Sequence, residues 1–109
     1  MELNKIYNES NLLTMSKMPN DFIDLTITSP PYDNLRDYNG YTFDFENIAK
    51  ELYRVTKIGG VIVWIMTDSI INGSKTGSSF KQALYFKEIG FNIHDVMIWE
   101  KDSFSFPIT

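Results

Sequence analysis

The sequence predicts an α/β fold built on a mostly parallel sheet, and three observations carry the prediction. Residues 22–28 (FIDLTIT) and 61–66 (VIVWIM) are short apolar runs with the composition of buried strands. Between them, Phe45, Ile48, Ala49, Leu52 and Val55 fall at i, i+3, i+4, i+7 and i+10, one face of a helix. A further helical segment and a third apolar run, residues 91–99, follow. The order strand–helix–strand–helix–strand is what right-handed βαβ units produce.

Taken in order, Lys5-Ile6-Tyr7 reads as a short strand. Ser10 stands where it can cap a helix carrying Leu12, Leu13 and Met15, ending near Met18-Pro19-Asn20. The first long strand, 22–28, exits into Ser29-Pro30-Pro31-Tyr32. A polar and aromatic loop runs on to Tyr41 with Asp33, Asn34 and Arg36, and loops of that length are usually functional or disordered. Asp44 caps the amphipathic helix and Gly59-Gly60 stops it. The run 61–66 is expected to be buried on both faces, with Asp68 just past its carboxyl end and a flexible loop at 72–78. Phe80, Ala83, Leu84 and Lys87 sit on a second helix that ends at Gly90. Trp64 and Trp99 read as core, and His94 as an exposed or hydrogen-bonded structural residue.

Composition narrows the function classes. A chain of 109 residues makes one small domain, and 43% hydrophobic residues allow a core. Net charge −4 argues against this chain alone gripping nucleic acid by electrostatics. With no cysteine and one histidine, neither a disulfide framework nor a thiolate metal site is expected. No apolar stretch approaches a membrane span and the first residues lack a signal-peptide core, so the expectation is a soluble intracellular protein with no membrane partner.

The chemistry concentrates at the strand exit. Two successive prolines lack N–H groups and cannot continue a ladder, so they make a stiff extended exit. In open α/β sheets ligands bind at that carboxyl end. Ser29 supplies a hydroxyl, Pro30 a carbonyl and Tyr32 a ring, a set suited to a flat ring bearing an amine. The same residues are compatible with a surface turn, and Tyr32 with packing on the fold. An exocyclic amine on a nucleobase is a poor nucleophile, because its lone pair is delocalised into the ring. Acceptors placed on its protons favour a tetrahedral nitrogen, stacking holds the ring, and a base inside a duplex must first be flipped out.

Thr28-Ser29-Pro30-Pro31-Tyr32 resembles motif IV of the amino-methyltransferases of DNA that use S-adenosylmethionine. The resemblance extends through Asp24-Leu25-Thr26-Ile27, Asp33-Asn34-Leu35-Arg36, Glu51-Leu52-Tyr53-Arg54-Val55 and Trp99-Glu100-Lys101. It implies a three-layer, Rossmann-like methyltransferase sheet, incomplete in this chain, acting on cytosine N4 or adenine N6 in double-stranded DNA with a flipped base. It implies Ser29, Pro30, Pro31 and Tyr32 as catalytic residues, with Asp33, Asn34 and Arg36 toward substrate; Asp68, by its place at a strand's carboxyl end, is a further pocket candidate. Glu9, Ser10 and Thr28 fall to the cofactor; many members carry Asp where Ser10 stands. The family's Gly-rich cofactor turn is absent. The chain therefore reads as the first, catalytic part (1–101) of a permuted enzyme, with 102–109 leading toward target recognition. The setting implied is the cytoplasm of a bacterium or phage-infected host. The alternatives are a catalytically silent remnant, a homodimer, or one half of a split enzyme needing a complementary half.

Overall fold

The computed structural model describes residues 1–31 and 43–100. A short helix α1 (Asn11–Ser16) leads into strand β1 (Ile23–Thr28), helix α2 (Phe45–Val55) and strand β2 (Thr56–Trp64). A small hairpin, β3 (Ile70–Ile71) and β4 (Ser74–Lys75), precedes helix α3 (Ser78–Ile89). β1 and β2 pair in parallel, so β1–α2–β2 is the βαβ unit the periodicity predicts.

Helix α2 forms for the expected reasons. Asp44 accepts from the Asn47 backbone N–H at 3.4 Å and from the Asn47 side-chain amide at 2.6 Å. Ile48, Ala49, Leu52 and Val55 are all buried and, with Met15 and Phe86, make the core. The helix does not stop at Gly59-Gly60. It ends at Val55, where Thr56 turns extended and its hydroxyl donates to the Leu52 carbonyl at 2.5 Å. The glycines serve the strand instead. Ile23 pairs with Thr56 and Leu25 with Val61, so two steps along β1 oppose five along β2. The surplus is absorbed by a bulge in which Gly59 takes φ +86°. A Cβ on Gly60 would meet Thr56 Cγ2 at 2.7 Å and the Lys57 carbonyl oxygen at 2.9 Å.

All three helices lie on one side of the two-stranded sheet or beside it. Thr26 pairs with Ile62 and Thr28 with Trp64, and Ile62 and Trp64 pack against the core. The alternate residues point the other way. Leu25, Ile27 and Val61 are 54%, 64% and 53% exposed. Burial on both faces, expected for 61–66, is therefore seen on one face only. The described residues form a helical layer on a parallel pair, not a complete three-layer sheet.

Other expectations need correction. Residues 5–7 form no strand. Residues 91–100 pair with no strand either, and Trp99 is largely exposed, since no neighbouring strand among the described residues offers them a ladder. The 72–78 loop contains a turn that closes a hairpin: Asn72 and Gly73 both take positive φ, the geometry of an Asn-Gly hairpin turn. Helix α3 ends at Gly90 as expected but buries Phe86, while Phe80 and Leu84 face outward. Among the described residues no helix is long and apolar enough to cross a membrane.

Two consequences can be measured. Gly60→Ala should destabilise the fold by about 1–3 kcal/mol, the usual cost of overpacking; an unchanged urea midpoint would show that the bulge gives way. Arg54 donates to both Glu51 oxygens and to the Met15 and Met18 carbonyls, which holds the Glu51 carboxyl below its ordinary range. A depressed carboxyl stabilises the fold above its ordinary pKa of 4.5 and loses that effect as pH falls through its folded value. Arg54→Lys, which cannot reproduce the planar fork, should lower the urea midpoint at pH 7 and narrow the stability gap between pH 7 and pH 3.

Candidate functional site

The carboxyl ends of the two strands are tied together. The Thr28 carbonyl accepts from Ile65 N–H at 2.9 Å, the last rung before the prolines. Pro30 is buried and Pro31 half-buried, so the stiff exit is packed against the fold, while Ser29 is exposed. These residues border a cleft of about 580 Å³. That lies within the range of about 300–1,000 Å³ typical of small-molecule sites.

The cleft has two chemically different parts. Its floor is apolar, with Met15, Met18, Ile23, Ile48, Leu52 and Val55. Its mouth carries Tyr7, Glu9, Asn11, Thr14 and Ser29. Glu9 is the charged group there. Its carboxylate accepts from the Thr14 hydroxyl at 2.7 Å and from Lys17 Nζ at 3.1 Å. The Thr14 hydrogen bond first, then Lys17, holds the Glu9 carboxyl below its ordinary value of 4.5. It can accept from a ligand's hydroxyl or ammonium groups.

The sequence-predicted residues divide as follows. Glu9, Thr28, Ser29, Pro30 and Pro31 come together at the cleft. Ser10 makes no side-chain cap; its carbonyl accepts from Thr14 N–H at 3.0 Å, and it does not line the cleft. Asp68 accepts from Ser79 N–H at 2.7 Å and from the Ser79 hydroxyl at 3.1 Å. It thereby caps α3, whose own N-cap is Gly77 and offers no side chain. Tyr32, Asp33, Asn34 and Arg36 lie outside the described residues. Sequence reasoning missed Tyr7, Thr14 and Lys17. The available signal was the helical turn of α1, which brings residues five and eight positions after Glu9 back beside it. Among the described residues no cluster of His, Cys, Asp or Glu could hold a metal ion.

The amino-acid sequence, compared with known proteins, falls in a family. A family model described as DNA methylase, of the N6/N4 methyltransferase type, matches residues 23–109. An orphan methyltransferase of Bacillus amyloliquefaciens, M.BamHII, is 72% identical over 85 residues, covering 78% of this chain and 32% of the relative. The type II beta methyltransferase M.BslI of a Bacillus species is 33% identical over 91 residues, covering 69% of this chain and 10% of the relative. The type II methyltransferase M.BglII of Bacillus subtilis is 34% identical over 68 residues, covering 57% and 19%. The chain thus spans a third or less of the curated relatives it matches. No solved structure matches it.

The state of Glu9 can be checked directly. A carboxyl-carbon NMR titration should place its midpoint below 4.5, and Thr14→Val should move the midpoint upward. A Glu9 midpoint at or above the ordinary value would show that the Thr14 and Lys17 hydrogen bonds do not hold the carboxylate in solution.

Proposed function

The chain belongs to the DNA methylase family, and we propose that it forms the base-handling part of a site-specific enzyme that methylates the exocyclic amine of cytosine N4 or adenine N6 in double-stranded DNA. The methyl donor of this reading is S-adenosylmethionine. The observation that carries it is the Thr28-Ser29-Pro30-Pro31 exit, packed at the end of a parallel strand and bordering a cleft with a fixed carboxylate.

Ser29 and the Pro30 carbonyl accept from the two amine protons of a flipped base, and Tyr32 stacks on its ring. Held this way, the amine nitrogen directs a lone pair at the methyl carbon. When bound, S-adenosylmethionine would supply an electrophilic methyl on its sulfonium, whose bond to that methyl would break as the bond to nitrogen forms. Ser29 and the Pro30 carbonyl would hold the amine for that transfer, and the proton that the nitrogen sheds would pass by these acceptors to water. The donor set at the cleft mouth fits part of such a ligand: Glu9 suits its ammonium and hydroxyl groups. The described residues offer no Gly-rich turn for the remainder. A complete three-layer sheet, with a Gly-rich strand and a target-recognition region, belongs to the whole enzyme on this reading, and its place is the cytoplasm that holds the DNA.

The test is transfer of labelled methyl groups to duplex DNA by this chain together with the part of M.BamHII beyond the shared segment. Label should appear on an exocyclic amine. Tyr32→Ala should slow transfer by about ten- to a hundredfold, as loss of one stacked base contact implies. No incorporation, or transfer indifferent to Tyr32→Ala, would reject the reading.

A further inference from the structure

We propose that the β3–β4 hairpin is a DNA-contacting element, in which Lys75 meets a backbone phosphate and Ile71 wedges between stacked bases next to the one being extruded. The proposal rests on duplex DNA as the partner and deepens that reading by naming a second contact. Topology places the hairpin. It lies on the connection from β2 to α3, and such connections leave a parallel sheet at the carboxyl ends of its strands, the end where Ser29 and Pro30 stand. Ile65 is bonded to the Thr28 carbonyl and Ile70 follows five residues later, so the hairpin starts at most about 18 Å from that bond. A duplex advances about 3.4 Å per base pair, so one presenting a base at the exit runs within about five base pairs of the hairpin.

The hairpin is held so that it projects. Two residues per strand are too few to keep a hairpin formed on their own. Its base is clamped instead: Thr76 N–H donates to the Ser69 carbonyl at 2.9 Å, and Ser79 N–H donates to Asp68 at 2.7 Å. Asn72 and Gly73 close the tip with positive φ, which keeps the ribbon slim. All of residues 70–75 are exposed. Ile70 and Ile71 are 67% and 59% exposed and, as neighbours on a strand, point to opposite sides of the ribbon. Neither belongs to the core. A slim two-stranded ribbon fits a groove of DNA, and isoleucine is among the side chains that part a base step. Ile71 borders the turn and is the one nearer the tip.

The charge of the segment selects the partner. In a chain with 10 basic and 14 acidic residues, residues 69–87 carry Lys75, Lys81 and Lys87 and no Asp or Glu. Lys75 pairs with no carboxylate among the described residues, whereas Lys5, Lys17 and Lys57 each do. Its exposed neighbours Asn72 and Ser74 carry no charge that would repel a phosphate. The net charge of −4 therefore conceals a locally positive stretch that begins at the end of the sheet where the duplex arrives.

The probe is a dye-labelled duplex in two forms, fully paired and carrying one mismatch beside a fluorescent purine, titrated with the 109-residue protein and no methyl donor. Anisotropy should report binding that weakens as salt rises. Lys75→Ala should reduce the slope of log affinity against log salt by about one, the loss of one phosphate contact. The mismatched duplex should bind about tenfold more tightly than the paired one, because a disrupted step is easier to open, and the purine should brighten as its stacking is lost. Ile71→Ser should abolish that preference and that brightening with the salt slope unchanged, and Ile71→Leu should restore both. Circular dichroism of the three variants should match the parent, since both side chains are exposed. No duplex binding, an unchanged slope for Lys75→Ala, or an undiminished mismatch preference for Ile71→Ser would each overturn the proposal. The expected hairpin effects without methyl transfer in the catalytic test would sink the catalytic reading and leave this one standing. Methyl transfer with Lys75→Ala and Ile71→Ser binding DNA as the parent does would do the reverse.

Discussion

The Arg54 guanidinium is the joint on which the site depends. Its five N–H donors meet five acceptors: both Glu51 oxygens, the Met15 and Met18 carbonyls and Asn20 Oδ1, at 2.6–3.1 Å. Two of those acceptors are backbone carbonyls, Met15 in the last turn of α1 and Met18 just past it, and that of Met15 also accepts from Met18 N–H at 3.0 Å. One side chain on α2 thus ends α1 and fixes the turn that follows. The backbone continues the same work, since Asp21 N–H donates to the Arg54 carbonyl and Phe22 N–H to the Val55 carbonyl. Those bonds deliver the chain into β1 beside β2. Glu9 precedes α1 and Ser29 follows β1, so the distance across the cleft mouth is set through this joint.

An aromatic cluster secures the other side. Phe45 meets Trp64, Tyr85 and Phe86 with ring centres 5.3–5.8 Å apart, and Trp64 meets Phe86 at 5.0 Å. Edge-to-face pairs contribute about 0.5–1.5 kcal/mol each beyond their area. Trp64 Nε1 also donates to Gln82 Oε1 at 2.9 Å, so the indole's polar atom is satisfied while its ring is packed. These contacts join α2, β2 and α3 on one face of the sheet. Nothing comparable among the described residues covers the opposite face, where leucine, isoleucine and valine remain in contact with water. The molecule is thus well tied on one side and open on the other.

Elements whose reasons are local were legible in the sequence. Asp44 and the apolar period of α2 specify that helix without help from elsewhere, and the strand at Ile23–Thr28 is announced by its apolar run and ended by two prolines. What depends on a distant partner was not legible. Residues 91–100 have strand composition, yet a strand exists only when a neighbour offers hydrogen bonds, and none does among the described residues. Gly59-Gly60 looked like a helix stop because glycine is common there; the register of β1 against β2 decided otherwise. Asp68 sat at a strand end, as ligand-binding carboxylates do, but α3 begins without a capping side chain and takes Asp68 for that purpose. Thr14 and Lys17 escaped notice because a hydrogen-bonded anion is recognised by its partners in space, which a six-residue helix supplies with little sequence signal.

The prolines also limit how far any ladder along β1 can run. A strand added along β1 extends only as far as the backbone donates and accepts in alternation. At Pro30 and Pro31 the donors are gone, so the ladder cannot be continued on either side past Thr28 and Ser29. Here the missing N–H groups of Pro30 and Pro31 end the ladder, and the packed exit stands at the carboxyl end of a parallel strand, where open α/β sheets bind their ligands.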